Sequence, residues 1–306
     1  MNTKEQKELE DKAKMSLHIL NSVIDNVSNL IFYKDADFKY LGCNSAFEKF
    51  MGHSKEELIG HNDFDFFPEE LAKHFRAFDQ ETLDNGVAVV NPQWVTYPDG
   101  SEVYLHTTTT PFYDTEGNII GLVGNAVDIT KEKRLSDALE HQANYDHLTN
   151  IPNRALFMDR LSQSILQSKR QKSEFAIFFM DLDEFKPIND EFGHKYGDLV
   201  LQKVSQRLTE SLRQSDTVAR LGGDEFAAIV HNVKDENDII FLAEGLIERV
   251  GKSMLIEDKS LNITLSVGIA FCQDNKLSAD ELLSLADDAM YEAKDKGKNC
   301  FIIARS

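Results

Sequence analysis

The sequence predicts an α+β chain of two domains joined by a helix, and three observations carry that prediction. Short strand-like runs broken by turn signals fill residues 28–130. Residues 131–146 (KEKRLSDALEHQANYD) are polar, lack Gly and Pro, and place Leu135, Leu139 and Gln142 at helical spacing. Over residues 147–306 strand patterns alternate with helical ones around a hairpin, which implies an α/β sandwich. With 306 residues, 42% hydrophobic and 28% charged, the chain is long enough for two cores.

Residues 1–27 carry Leu9, Ala13, Leu17, Leu20, Ile24 and Val27 three or four apart, the stripe of an amphipathic helix. Its second half is expected to pack on its own domain, and its first half is available to a partner chain. In the first domain, strands are predicted over 30–33, 40–42, 103–110 and 119–127, and a helix over 68–83. Turns are signalled by Pro98-Asp99-Gly100 and Asp114-Thr115-Glu116-Gly117. Trp94 and the many phenylalanines read as core. His18, His53, His61, His74 and His106 show no clear ligand spacing and read as structural. The linker holds only about two heptads, short of the three or four a coiled coil asks for. In the second domain, 175–180 (FAIFFM) reads as a buried strand, and 197–214 as a helix burying Val200, Leu201, Val204, Leu208 and Leu212. A strand over 261–271, a helix over 279–296 and a strand over 301–304 complete the order.

Charge and composition remove several function classes. A net charge of −19 argues against nucleic acid, since a polyanion would be repelled. No apolar stretch approaches a membrane span, and the start MNTKEQKELEDKAK is too charged for a secretion signal. Cys43, Cys272 and Cys300 are scattered, so a reducing cytoplasm is the simplest expected location.

The chemistry concentrates in Arg220-Leu221-Gly222-Gly223-Asp224-Glu225-Phe226. Strand-forming residues 217–221 precede the glycines and the apolar run 226–230 follows, so the stretch reads as a β-hairpin. Gly222 and Gly223 supply the positive φ that a tight turn needs and leave bare backbone for a ligand. The FAIFFM strand ends in Asp181-Leu182-Asp183-Glu184-Phe185-Lys186. Carboxylates at the end of a buried strand are costly without a cation. Asp181 beside Asp224 and Glu225 suits a hard divalent ion, and the nearby lysine suits phosphate. Any single lysine in so acidic a chain reads by default as a solvated charge.

These motifs closely resemble the GGDEF family of diguanylate cyclases, over about residues 143–306. The resemblance rests on Asp146-His147-Leu148-Thr149-Asn150-Ile151-Pro152-Asn153-Arg154, the segment from Asp181 to Asp190, Phe192-Gly193-His194, the Gly-Gly-Asp-Glu-Phe turn, and Ala286-Asp287-Asp288-Ala289-Met290-Tyr291-Glu292-Ala293-Lys294. Residues 28–130 resemble a PAS sensor domain through Tyr33-Lys34-Asp35, Asn44, Gly60, Pro68, Gly100 and Asp128-Ile129-Thr130. The implied organisation is an N-terminal helix (1–27), a PAS domain (28–130), a linker helix (131–146) and a GGDEF domain (147–306). The implied catalytic fold is similar to the polymerase palm and adenylyl cyclases.

The family resemblance implies joining of two GTP into cyclic di-GMP, with release of pyrophosphate. It implies Mg²⁺, or Mn²⁺ in its place, on Asp181, the Leu182 carbonyl and Asp224. Asp224 is also the implied acceptor of the 3′-hydroxyl proton, with Glu225 as a further ligand. Gly222 and Gly223 lie against substrate, and Lys186, expected on the loop after the FAIFFM strand, and Lys294 lie on the triphosphate. Lys298, four residues after Lys294 and expected on the same face at the end of the last helix, stands where the family often has arginine, which loses a bidentate grip. Asn189 and Asp198 match guanine-reading positions, and a carboxylate accepts from N1 and N2 hydrogens that adenine does not offer. His194 is either a nucleotide contact or a helix-capping or core histidine. Arg213 and Asp216 match an inhibitory product site. Two GTP sites must meet, so a homodimer is implied. The alternative is a catalytically silent receptor for cyclic di-GMP, acting through Arg213 and Asp216. The PAS ligand is left open.

Overall fold

The first helix, α1 (Thr3–Asp25), leads into an antiparallel sheet built from β1 (Leu30–Asp35), β2 (Tyr40–Cys43), β3 (Val89–Thr96), β4 (Glu102–Tyr113) and β5 (Ile119–Asp128). The computed structural model describes residues 3–96, 100–171, 173–233, 235–272 and 277–304. Within these, contacts divide the chain into two units, Met1–Asp137 and Ala138–Ser306.

In the first unit the sheet order is β2-β1-β5-β4-β3. Between β2 and β3 run α2 (Ser45–Met51), α3 (Lys55–Leu58), a 3₁₀ turn (Asp63–Asp65) and α4 (Glu69–Asn85). Phe32, Tyr40, Phe47, Phe50, Leu105 and Leu122 form the core between sheet and helices. Asn44 is fully buried because it satisfies many partners at once. It accepts from the Ile31 and Phe47 backbone N–H and donates to the carbonyls of Ile24, Val27 and Asn29. That caps α2 and ties down the end of α1. The turn at Asp114 forms as expected, its carboxylate accepting from Glu116 and Asn118.

Three expectations for this unit are corrected. β3 was not anticipated, because Pro92 interrupts its pattern; it is an edge strand, where a missing donor costs little. Trp94 is not core but 43% exposed on that edge, leaning on the Tyr104 ring 5.2 Å away. The second half of α1 does not pack on its own domain: Leu17, Leu20 and Val23 are 57–60% exposed. The side chain of Leu9 and residues Pro98 and Asp99 lie outside the described residues.

The core also holds charge. Lys34, 1% exposed, donates to Asp63 at 2.6 and 2.8 Å and to Asp79 at 2.7 Å, while the Tyr40 hydroxyl donates to Asp63 at 2.6 Å. These groups share a cavity wall with Phe67, Phe75 and Phe78. Two carboxylates face one ammonium, and burial pushes the Asp79 carboxyl up.

Helix α5 (Thr130–Asn144) spans the division between the units, and in the second unit residues 145–153 lead from it into α6 (Arg154–Gln171). There follow β6 (Phe175–Asp183), α7 (Phe185–Phe192), α8 (His194–Ser211), β7 (Thr217–Gly222), β8 (Glu225–His231), α9 (Glu236–Gly251), β9 (Met254–Ile256), β10 (Lys259–Leu261), β11 (Thr264–Cys272), α10 (Ala279–Asp295) and β12 (Phe301–Ile303). The main sheet order is β12-β11-β6-β8-β7, so FAIFFM is the central strand. Its side chains alternate between two cores. Phe178, Met180 and Leu182 pack with Val200, Leu208 and Ala243, whereas Phe175, Ile177 and Phe179 pack with Phe157, Leu161 and Met290. This is the expected α/β sandwich with helices on both faces. Gly268 lets α10 lie directly on β11, since a Cβ there would collide with the Ala286 carbonyl and the Met290 N–H.

Boundaries differ where capping and pairing override apolar spacing. The helix predicted over 197–214 begins at His194 and ends at Ser211. Leu261 closes a small β9–β10 hairpin, and the long strand starts at Thr264. Lys186 sits in the first turn of α7 rather than on a loop. α6 and α9 were not anticipated.

Breaking the buried cluster tests its structural weight. Lys34→Met leaves two buried carboxylates unpaired and is expected to cost about 3 kcal/mol or more. Urea unfolding of the first unit reads this; a loss below about 1 kcal/mol would contradict it.

Candidate active site

The turn between β7 and β8 is two residues long: Gly222 pairs with Glu225, leaving Gly223 and Asp224 at the tip. Gly222 at φ 153° and Gly223 at φ 50° adopt conformations that side chains disfavour. Arg220 holds this turn from β7. Its Nε and Nη2 donate to the Gly223 carbonyl at 2.9 and 2.7 Å, and Nη1 donates to Asp146 at 2.9 Å. Asp146 also accepts from the Thr149 N–H and hydroxyl. Burial pushes the Asp146 carboxyl up, but the bonds from Thr149 and Arg220 outweigh this and leave it below its ordinary value. Both residues lay in motifs quoted above, yet the sequence reading gave neither a role, because a clamp between distant segments leaves no local spacing.

Antiparallel pairing of β6 with β8 sets Asp181 opposite Glu225, and the Leu182 N–H donates to the Asp224 carbonyl at 3.3 Å. The strand end and the glycine turn therefore meet, as the sequence led us to expect. Lys294, on the last turn of α10, places Nζ 2.7 Å from Asp181 Oδ1. Burial raises the Asp181 carboxyl to about 6; Lys294 opposes the rise, and Asp224 and Glu225 add to it. Glu225 is raised by burial and then by Asp287 and Asp224, and Asp287 by burial and then Asp288. The site is thus acidic and short of positive charge.

Those donors are hard oxygens, which fits Mg²⁺ or Mn²⁺, and the Lys294 ammonium on Asp181 already supplies one cation there. Among the described residues, no group of three or more His, Cys, Asp or Glu side chains is arranged to hold a metal. The set implied by resemblance has two carboxylates and one backbone carbonyl, so its remaining donors would come from elsewhere.

The other predicted residues fall into separate neighbourhoods. Lys186 is exposed in the first turn of α7, and Asn189 is half-buried on the same helix. Asn189 lies against Gly197, where a Cβ would collide with its Oδ1, so it sits next to exposed Asp198. His194 is exposed at the start of α8, not core. Lys298 is not on a helical face with Lys294. It lies beyond α10 at φ 65°, with Nζ 3.0 Å from Glu184. Arg213 and Asp216 stand at the opposite end of β7 from the glycines. Asp216 accepts from the Arg213 and His231 backbone N–H, both at 3.1 Å, while the Arg213 side chain is exposed.

Comparison with known proteins finds matches to both units. The family model for the diguanylate cyclase GGDEF domain matches residues 143–300, and a PAS fold model matches 24–134. The bifunctional diguanylate cyclase/cyclic di-GMP phosphodiesterase MucR of Pseudomonas aeruginosa is 42% identical over 174 residues, covering 56% of this chain and 25% of MucR. Diguanylate cyclase TpbB of the same organism is 39% identical over 171 residues; the match spans 39% of TpbB. The chain thus spans well under half of either relative. A Vibrio cholerae diguanylate cyclase is 28% identical over 98% of this chain and 93% of its own length. The solved GGDEF domain of TpbB matches at a TM-score of 0.51 and 36% identity, covering 53% of this chain and 94% of that structure. Caulobacter crescentus DgcB, solved with c-di-GMP, matches at a TM-score of 0.52 and 27% identity, covering 57% of this chain and 94% of that structure.

The raised Asp181 makes a stability prediction. Its folded value of about 6 exceeds the reference 3.8, so the folded state holds the proton more tightly than the unfolded one. The cost of ionisation is absent below the lower value and complete above the higher. In metal-free protein, Asp181→Asn is expected to raise stability by about 2 kcal/mol near pH 7.5, and by almost nothing near pH 4. Denaturant unfolding with a chelator present checks this, and an equal effect at both pH values would contradict it.

Proposed function

The chain belongs to the diguanylate cyclase GGDEF family, and from that premise we propose that it condenses two GTP into cyclic di-GMP with release of two pyrophosphate, under control of its PAS domain. One observation carries the reading. Asp181, Asp224 and Glu225 meet at the end of the central strand, with Lys294 on Asp181.

In this reading Asp181, Asp224 and the Leu182 carbonyl would hold the metal, whose charge would offset that of the triphosphate. Lys186, Lys294 and Lys298 bind phosphate oxygens as point charges. Asn189 and Asp198 bind the guanine edge, and His194 lies close enough in sequence to touch the same nucleotide. Gly222 and Gly223 let the turn approach the substrate. Asp224, seconded by Glu225, takes the proton of the 3′-hydroxyl. The freed oxygen forms its bond to the α-phosphorus of the other GTP as the bond to pyrophosphate breaks. Each subunit presents one GTP, so both bonds form only in a homodimer, and the helical linker governs how often the two sites meet. GTP as substrate fits a cytoplasmic protein. Among the described residues, no helix is long and apolar enough to cross a membrane.

The direct test supplies purified protein with GTP and Mg²⁺ and assays pyrophosphate and cyclic dinucleotide. Wild type is expected to make both, and Asp224→Ala to lose at least about 100-fold in rate. Binding of cyclic di-GMP with no product formed would instead identify a silent receptor. Product inhibition is assigned to exposed Arg213, with Asp216 ordering its loop. Arg213→Ala is expected to straighten the progress curve at unchanged initial rate; an unaltered curve would contradict that assignment.

A further inference from the structure

Asp183 has no role in the reaction as set out so far, yet it is 5% exposed and fully engaged. Its carboxylate accepts from the Ser266 hydroxyl at 2.6 Å, the Thr264 hydroxyl at 2.7 Å and the Asn299 N–H at 3.1 Å. The first two donors follow from strand register, since β11 sets Thr264 opposite Asp183 and Ser266 opposite Asp181. Residues two apart on a strand share a face, so Asp183 and Asp181 both point to the side covered by α10. The third donor belongs to the turn after α10.

That turn is strained. Gly297, Lys298 and Asn299 have φ of 113°, 65° and 48°, and two of the three are not glycine. Left-handed backbone is disfavoured for Lys298, though asparagine tolerates it better, and such a turn persists where its surroundings fix it. Lys298 N–H donates back to Ala293 and Gly297 N–H to Lys294, while Asn299 N–H donates forward to Asp183. The last turn of α10 is therefore anchored to the strand that carries Asp181. Lys294 is on that last turn, and Lys298 is in the anchored loop.

We propose that Asp183 is a positioning residue for the reaction: it pins the turn after α10 to the end of β6 and so fixes Lys294 and Lys298 over the phosphate site. The role at the phosphate site rests on the cyclase reading, whereas the pin does not. A neutral amide is a poor substitute, because its NH₂ would face one of the three donors.

Two measurements on the full chain separate the pin from the function. Hydrogen exchange on ligand-free protein reads the pin: Asp183→Asn is expected to speed exchange at residues 297–299 at least about tenfold, leaving α8 and α9 unchanged. A turn still protected in the variant would overturn the proposal, whatever the enzyme does. GTP affinity, titrated with Ca²⁺ to prevent turnover, reads the consequence. Asp183→Asn and Lys294→Met are each expected to weaken binding about tenfold, and the double variant scarcely more than either. Fully additive losses, or a lower Tm with unchanged affinity, would make Asp183 merely structural. If Asp183→Asn fails to fold, Ser266→Ala removes one donor at lower cost and is expected to weaken GTP binding about threefold; unchanged affinity there would overturn the proposal. Wild type that binds no GTP would sink the cyclase reading while the exchange result still decides the pin.

Discussion

Pairing of β6 with β8 is the constraint on which the second unit depends, because it forces acidic groups together at one end of a buried strand. Asp181 faces Glu225 across the ladder, and the backbone of Leu182 is bonded to that of Asp224. Hydrophobic burial on both sides of β6 leaves no freedom to slip the register, since a one-residue shift would send Phe178 and Phe179 to the wrong cores. The carboxylates are thus held close, and Asp181 is raised chiefly by burial, with repulsion from Asp224 and Glu225 adding to it. Such a cluster favours positive charge beside it, and the Lys294 ammonium supplies one on Asp181.

Elements with strong local signals were legible. FAIFFM, the double-glycine hairpin and the 279–296 helix appeared where expected, because each is specified by its own composition. The family motifs also pointed to Asp181, Asp224, Glu225 and Lys294, which the fold brings together. Features set by tertiary context were not legible. β3 hid behind Pro92, whose missing donor is harmless only on an edge. Lys298 looked like a helical partner of Lys294, but the chain turns left-handed at Gly297 before reaching it. Arg220, Asp146 and Asp183 do their work through partners scores of residues away, and no spacing rule reports such bonds.

The first unit reads differently. Its buried Lys34, Asp63 and Asp79 sit within an aromatic core, where a charge is tolerated only because every partner is within hydrogen-bond reach. In the sequence Lys34 stands out only as part of a family pattern; the structure shows it as the hub joining β1, the 3₁₀ turn and α4. Such a hub resists sliding of these elements past one another. The exposed apolar stripe of α1 is its opposite, a surface with no described partner in this chain.

The central claim is that Asp181 and Asp224 act on one metal ion beside a triphosphate. A crystal structure grown with a non-hydrolysable GTP analogue and Mg²⁺ tests it most directly. The account predicts one ion bridging both carboxylates, the Leu182 carbonyl among its donors, and Lys294 moved from Asp181 onto phosphate. Carboxylates too far apart to share an ion, with Lys294 still bonded to Asp181, would contradict it.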